Sequence, residues 1–156
     1  MRQHKGFGYS LSLFIASFCY LGFTPCMPGT LASGVALLIM YFYYDPSAYV
    51  IWLISLLILI IVGSFTAEKL EKQDRLKDPS WIVIDEVVAM MLLLLFVPFS
   101  WQWYLTAFVL FRFFDITKCA GIWYIDQFSG GIPLMCDDIA AAAWSLVIIR
   151  LACFVL

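Results

Sequence analysis

Residues 81–99, WIVIDEVVAMMLLLLFVPF, set an acid pair, Asp85-Glu86, at the head of an apolar run that carries no further charge. A second pair, Asp137-Asp138, stands in the same relation to the run 139–156. Carboxylates entering hydrocarbon are costly unless they face a polar interior or a cation, so these four residues are the first candidates for chemistry.

Outward from this stretch, further apolar runs occupy residues 7–23, 31–44, 49–65 and 101–114. With 64% hydrophobic and 13% charged residues, the chain is far more apolar than a soluble domain, in which charged residues make up roughly a quarter. The expected class is an all-α integral membrane helical bundle, a single domain over residues 1–156. Asp45-Pro46-Ser47 and Pro98-Phe99-Ser100 read as tight turns, each joining two runs into a helical hairpin. The expected architecture is therefore two helical hairpins plus a C-terminal helix. The net charge of -2 and the scattered basic residues argue against a nucleic-acid partner.

Residues 66–80 form the one strongly polar connection. Lys69, Lys72, Arg75 and Lys77 alternate there with Glu68, Glu71, Asp74 and Asp78, a spacing that suits a short solvated helix. Its four basic residues place it in the cytoplasm by the positive-inside rule. Alternation then puts segments 24–30, 66–86 and 115–138 on that same face. Spanning by residues 7–23 would put a basic amino end outside, so an interfacial or re-entrant N-terminal helix is expected. Arg2 and Lys5 before that run resemble a signal peptide, but Ser17-Phe18-Cys19 offers no small-x-small cleavage site, and retention is expected. The five cysteines (Cys19, Cys26, Cys119, Cys136, Cys153) form no CxxC pair and read as free thiols.

An acid in the first turn of a helix is favoured by the helix dipole, a structural role open to either pair. Asp115 lies at a helix carboxyl end, where the dipole opposes it. Arg112, Asp115 and Lys118 are spaced three apart, so an ion pair with Arg112 is one explanation for it. Acids gathered at one depth repel one another, and a divalent cation held by oxygen ligands resolves the conflict. Carboxylates with a metal beside cationic side chains suit phosphoryl chemistry. The loop Thr24-Pro25-Cys26-Met27-Pro28-Gly29-Thr30 adds a close-approach glycine, with Thr30 as a cap for the next helix, whose free amides bind anions. The lone histidine, His4, excludes a His triad, and no DxD motif supplies an aspartyl nucleophile.

Four blocks in order resemble the phosphatidylglycerophosphatase A family of bacteria: Thr24 to Thr30, Lys77-Asp78-Pro79-Ser80-Trp81-Ile82-Val83-Ile84-Asp85-Glu86, Phe111-Arg112-Phe113-Phe114-Asp115-Ile116-Thr117-Lys118, and Gly130-Gly131 through Asp137-Asp138. The resemblance runs from about Leu21 to Ser145. It implies an all-helical, Mg2+-dependent inner-membrane enzyme that removes the terminal phosphate of phosphatidylglycerophosphate to give phosphatidylglycerol, and it marks Asp85, Glu86, Asp115, Asp137 and Asp138, with Lys118 beside them. Cys119, Pro133, Ala89 and Ala143 depart from the family's usual residues. The expected division of labour has Asp85, Asp115 and Asp137 as metal ligands and Glu86 or Asp138 activating water. Arg112 and Lys118 bind phosphate, with Thr24, Gly29 and Thr30 lining the substrate site. The rival readings are a CDP-alcohol-type headgroup transferase, whose spaced aspartate run is missing, and a cation channel or transporter, whose acids would be spread through the membrane depth.

Overall fold

The computed structural model describes residues 6–155; His4, Arg2, Lys5 and Leu156 lie outside the described residues. Seven α-helices follow one another there, without a strand: α1 (Phe7–Ala16), α2 (Pro28–Tyr43), α3 (Tyr49–Asp74), α4 (Ile84–Leu95), α5 (Trp101–Thr117), α6 (Ile122–Asp126) and α7 (Gly131–Val155). The all-helical expectation holds. Two helices are long and apolar enough to cross a membrane, the segment Pro46–Asp74 that contains α3, and α7.

The stretch around Asp85 does decide the architecture, through α4. Val87, Val88, Ala89, Met90, Leu93 and Leu94 are all buried, as expected of a helix that is apolar on every side. With 12 residues it is about 18 Å long, short of the ~30 Å hydrocarbon core, so it serves as the bundle's central post. It packs against α2, α3 and α7 and touches α5 less extensively. The expected pairing into two hairpins is not confirmed. The runs joined at the Asp45 turn do not form a packed pair: α2 rests on α4 and α5, while α3 rests on α7, α1 and α4. Likewise α5 packs mainly on α7. A tight turn reverses the chain, but burial demand selects the neighbours, and α4 demands the most.

The turns themselves form as read. Asp45 accepts a hydrogen bond from the Ser47 N–H at 2.9 Å, and Ser100 Oγ caps α5 by accepting from the Trp103 N–H at 3.3 Å. Tyr41 stacks on Phe99 at 5.8 Å and Tyr49 meets Phe96 at 6.3 Å, which brings both turns to one end of the bundle. At that end the Arg150 guanidinium donates to the Phe96 carbonyl oxygen at 2.6 Å, a cation at a helix carboxyl terminus.

The opposite end is built by helices that overrun their apolar stretches. α3 continues past Phe65 through the Glu68–Lys72 pair to Asp74, so the polar connection is largely the last two turns of a long helix. α1 docks on that charged end: Tyr9 donates to Asp74 at 2.8 Å, and Lys69 donates to the Gly8 carbonyl at 2.9 Å. The Val83 N–H donates to the Ala16 carbonyl at 2.9 Å, tying α1 to the entrance of α4. α7 begins at Gly131, so Asp137-Asp138 lie in its second and third turns and not at its head. Its amino-terminal dipole therefore does not explain that pair.

Gly131 permits the α3–α7 crossing, because a Cβ there would strike the backbone carbonyl of Ser64. Gly131→Ala is expected to destabilise the protein by about 1–3 kcal/mol, read as a lower unfolding midpoint in detergent. An unchanged midpoint would show that the crossing has slack.

Candidate active site

A cavity of about 450 Å³ opens at the end of the bundle away from the two turns. Five parts of the chain line it: the start of α2 through Met27, Gly29 and Thr30, the α3–α4 connection through Asp78 and Ser80, α4 through Asp85 and Glu86, α5 through Arg112, Asp115 and the following Lys118, and α7 through Asp137 and Asp138. The sequence candidates thus converge, with one exception. Thr24 lies outside the cavity, its hydroxyl donating to the Leu21 carbonyl at 2.9 Å to close a local turn. Thr30 is also not the cap of α2, which starts at Pro28 with Met27 before it; its hydroxyl instead lies buried in the first turn without a hydrogen-bond partner.

Three of the acids form one cluster. Asp85, Glu86 and Asp138 each present an oxygen within 4.8 Å of the others. Asp85 Oδ1, Glu86 Oε2 and Asp138 Oδ2 are buried and have no hydrogen-bond partner among the described residues. Orphaned carboxylate oxygens in a protein interior are costly, and these three could hold a positive ligand. Oxygen-only donors suit a hard divalent cation such as magnesium, and the described residues around the cavity include no histidine or cysteine that would favour a softer one.

Asp115 and Asp137 are held by side-chain cations. Lys118 Nζ lies 2.9 Å from Asp115, 2.6 Å from Asp137 and 3.5 Å from Asp138. Arg112 Nη1 lies 2.8 Å from the other Asp115 oxygen and 3.9 Å from Glu86. The second Asp137 oxygen accepts from the Asp138 N–H at 2.9 Å. The structure therefore groups the acids differently from the expected trio of Asp85, Asp115 and Asp137. The cause is local: Lys118 takes a left-handed backbone, φ 47°, at the end of α5, and its side chain folds back over Asp115 and across to α7. Burial by itself would lower the Lys118 pKa, but Asp138, Asp115 and Asp137 outweigh it and push the ammonium well above the ordinary lysine value.

Arg112 retains a buried Nε without a partner, a donor still available for an anion. Gly29 explains why the α2 loop comes so close, since a Cβ there would collide with Glu86 Oε1. Ser33 supports this contact, donating to the Gly29 carbonyl at 2.8 Å and accepting from Arg112 at 3.4 Å. Charge bookkeeping points the same way: Asp78, Asp85, Glu86, Asp115, Asp137 and Asp138 face only Arg112 and Lys118. As carboxylates these acids outnumber the two cations, and added positive charge would favour entry of an anion.

Sequence reasoning missed Asp78, Ser80 and Ser33. Asp78 sits among alternating charges, which read as a solvated helix, although it also falls within one of the blocks that carry the resemblance. It is solvent-exposed at the cavity's edge, where partial desolvation pushes its carboxyl above the ordinary value while Lys118 pulls it down.

Over residues 14–153 the chain matches the family described as phosphatidylglycerophosphatase A. It is 37% identical over 143 residues to a putative phosphatidylinositol-3-phosphatase of Bacteroides thetaiotaomicron, covering 86% of this chain and 89% of that one. It is 33% identical to the phosphatidylglycerophosphatase A of Haemophilus influenzae, covering 78% of this chain and 76% of that one. It is also 33% identical to the Escherichia coli phosphatidylglycerophosphatase A, covering 80% and 73%. No solved structure matches the chain.

Proposed function

The chain belongs to the phosphatidylglycerophosphatase A family and is a phosphatase, and from that premise we propose that it hydrolyses the terminal phosphate monoester of phosphatidylglycerophosphate, with Mg2+, during phospholipid synthesis. The observation that carries the chemistry is the orphaned oxygen trio of Asp85, Glu86 and Asp138 beside the free Arg112 Nε. Those three carboxylates would hold the cation. When bound, the cation supplies charge neutralisation for the phosphate and polarises it toward attack. Arg112 takes a phosphate oxygen through Nε, while Asp115 fixes its guanidinium from the far side. Glu86, less buried than Asp85 or Asp138 and in reach of Arg112 and Gly29, accepts the proton of the attacking water. The new bond joins water oxygen to phosphorus, and the glycerol oxygen leaves with its electron pair and takes up the proton that Glu86 accepted, giving the free hydroxyl. Lys118 keeps Asp115, Asp137 and Asp138 together rather than serving as a free phosphate hook.

The setting is the bacterial inner membrane with the cavity facing the cytoplasm. Lys69, Lys72, Arg75 and Lys77 lie near the cavity end, and α1, docked on the charged end of α3, suits the interface. The bilayer supplies the substrate.

A second reading keeps the chemistry and changes the headgroup. The Bacteroides relative is named for a phosphatidylinositol 3-phosphate, also a phosphomonoester on a polyol headgroup. Purified protein should release phosphate from phosphatidylglycerophosphate when Mg2+ is present and lose that activity on chelation. Turnover of the inositol lipid alone would move the assignment to the second reading, and undiminished turnover after chelation would remove the cation.

A further inference from the structure

One acid in the cavity belongs to neither charge group. Asp78 lines the cavity on the α3–α4 connection, stands outside the orphaned trio, and forms no ion pair with Arg112 or Lys118. Its backbone is nevertheless firmly held. φ is 43°, in the left-handed region that aspartate tolerates better than most residues with a side chain, and the contacts around it hold it there. The contacts come from Glu71. One Glu71 oxygen accepts from the Asp78 N–H at 2.7 Å and the other from the Gly130 N–H at 3.0 Å, just before α7 begins. Next to it, Lys77 Nζ donates to the Asp126 and Gln127 carbonyls at 3.0 and 3.3 Å. Glu71 is only 8% exposed, although Lys72 and Gln73 beside it are solvated. A buried carboxylate spent on two backbone amides, one from each of two separate connections, fixes the cavity wall where Asp78 stands.

Building on the phosphatase reading above, we propose that Asp78 determines specificity by accepting a hydrogen bond from a free hydroxyl of the substrate's headgroup, and that Glu71 is its positioning residue. An ionised carboxylate is an acceptor only, so it repels phosphate oxygens and recognises hydroxyl donors. The other cavity carboxylates are committed to Lys118, Arg112 or the cation cluster. Phosphatidylglycerophosphate carries such a hydroxyl on the glycerol between its two phosphates. Ser80, on the same connection and also lining the cavity, offers a polar neighbour for it.

The test compares phosphatidylglycerophosphate with a deoxy analogue whose headgroup is 1,3-propanediol phosphate, in the same mixed micelles. The wild-type protein should favour the hydroxylated lipid in kcat/KM by roughly ten- to a hundredfold, the range of a hydrogen bond to a charged group. Asp78→Ala should erase this ratio, and Asp78→Asn, which keeps a carbonyl acceptor, should retain part of it. Glu71→Gln should lower the ratio, and combining it with Asp78→Ala should lower it no further. A purely structural role for Asp78 predicts equal losses on both lipids and an unmoved ratio, which would overturn the proposal, as would a wild-type protein indifferent to the hydroxyl. Absence of phosphate release from both lipids by the wild-type protein would instead overturn the substrate assigned above, and this inference with it.

Discussion

Asp138→Asn is expected to lower kcat/KM for phosphate release by about 10³, equivalent to roughly 4 kcal/mol of lost transition-state stabilisation. Asp138 is 3% exposed, supplies one of the three orphaned oxygens, and sits in the cluster with Asp85 and Glu86. Asparagine keeps the shape and removes the charge. Because a crowded acid is lost, the variant should be no less stable than wild type without a divalent cation. Added Mg2+, however, should no longer raise its unfolding midpoint as it raises that of the wild type, since binding to the folded state is what stabilises it. Asp137→Asn should be milder, because Asp137 spends its oxygens on Lys118 and on the Asp138 N–H. A fully active Asp138→Asn enzyme would sink the proposed cation site, and a larger loss from Asp137→Asn would restore the sequence-based ligand set.

Lys118→Met removes the cation that binds three carboxylates while keeping most of the bulk. Breaking a buried ion pair from one side costs about 3–5 kcal/mol, and the partial exposure of Lys118, 26%, places the expectation near the lower end. Unfolding in detergent should show this loss, accompanied by at least a tenfold drop in turnover as Asp115, Asp137 and Asp138 spread apart. The sign of the pH dependence follows from the raised Lys118 pKa. Its stabilisation is fully present below the ordinary lysine value and fades only as pH rises through the folded value, so the wild-type advantage from this group should be level across neutral pH. A variant as stable as wild type would mean that the three acids are neutralised by other means.

Much of the site was legible because its chemistry is written in residue type. Carboxylates beside apolar runs are costly enough that Asp85, Glu86, Asp137 and Asp138 stand out without any coordinates, and Asp115 stands out because the helix dipole opposes it. Asp78 and Glu71 were not legible. Both lie in a segment of alternating charge, where solvated helix is the ordinary reading, and what sets Glu71 apart is that Asp78 and Gly130, distant in sequence, bring their amides to it. Thr24 shows the reverse error, a polar residue in a suggestive loop whose hydroxyl is spent on its own turn.

By itself the sequence determined the helical class, the two tight turns and the gathering of acids at one end, because hydropathy, turn chemistry and the expense of buried charge act locally along the chain. Only the tertiary structure decided which helices touch and which acids share a ligand. α4, apolar on every side, separates α2 from α3. Lys118, folding back from the end of α5, claims Asp115 and Asp137, so Asp85, Glu86 and Asp138 are left with oxygens that nothing among the described residues satisfies. Those choices depend on competition among distant groups for the same space and the same charge, which no local pattern records.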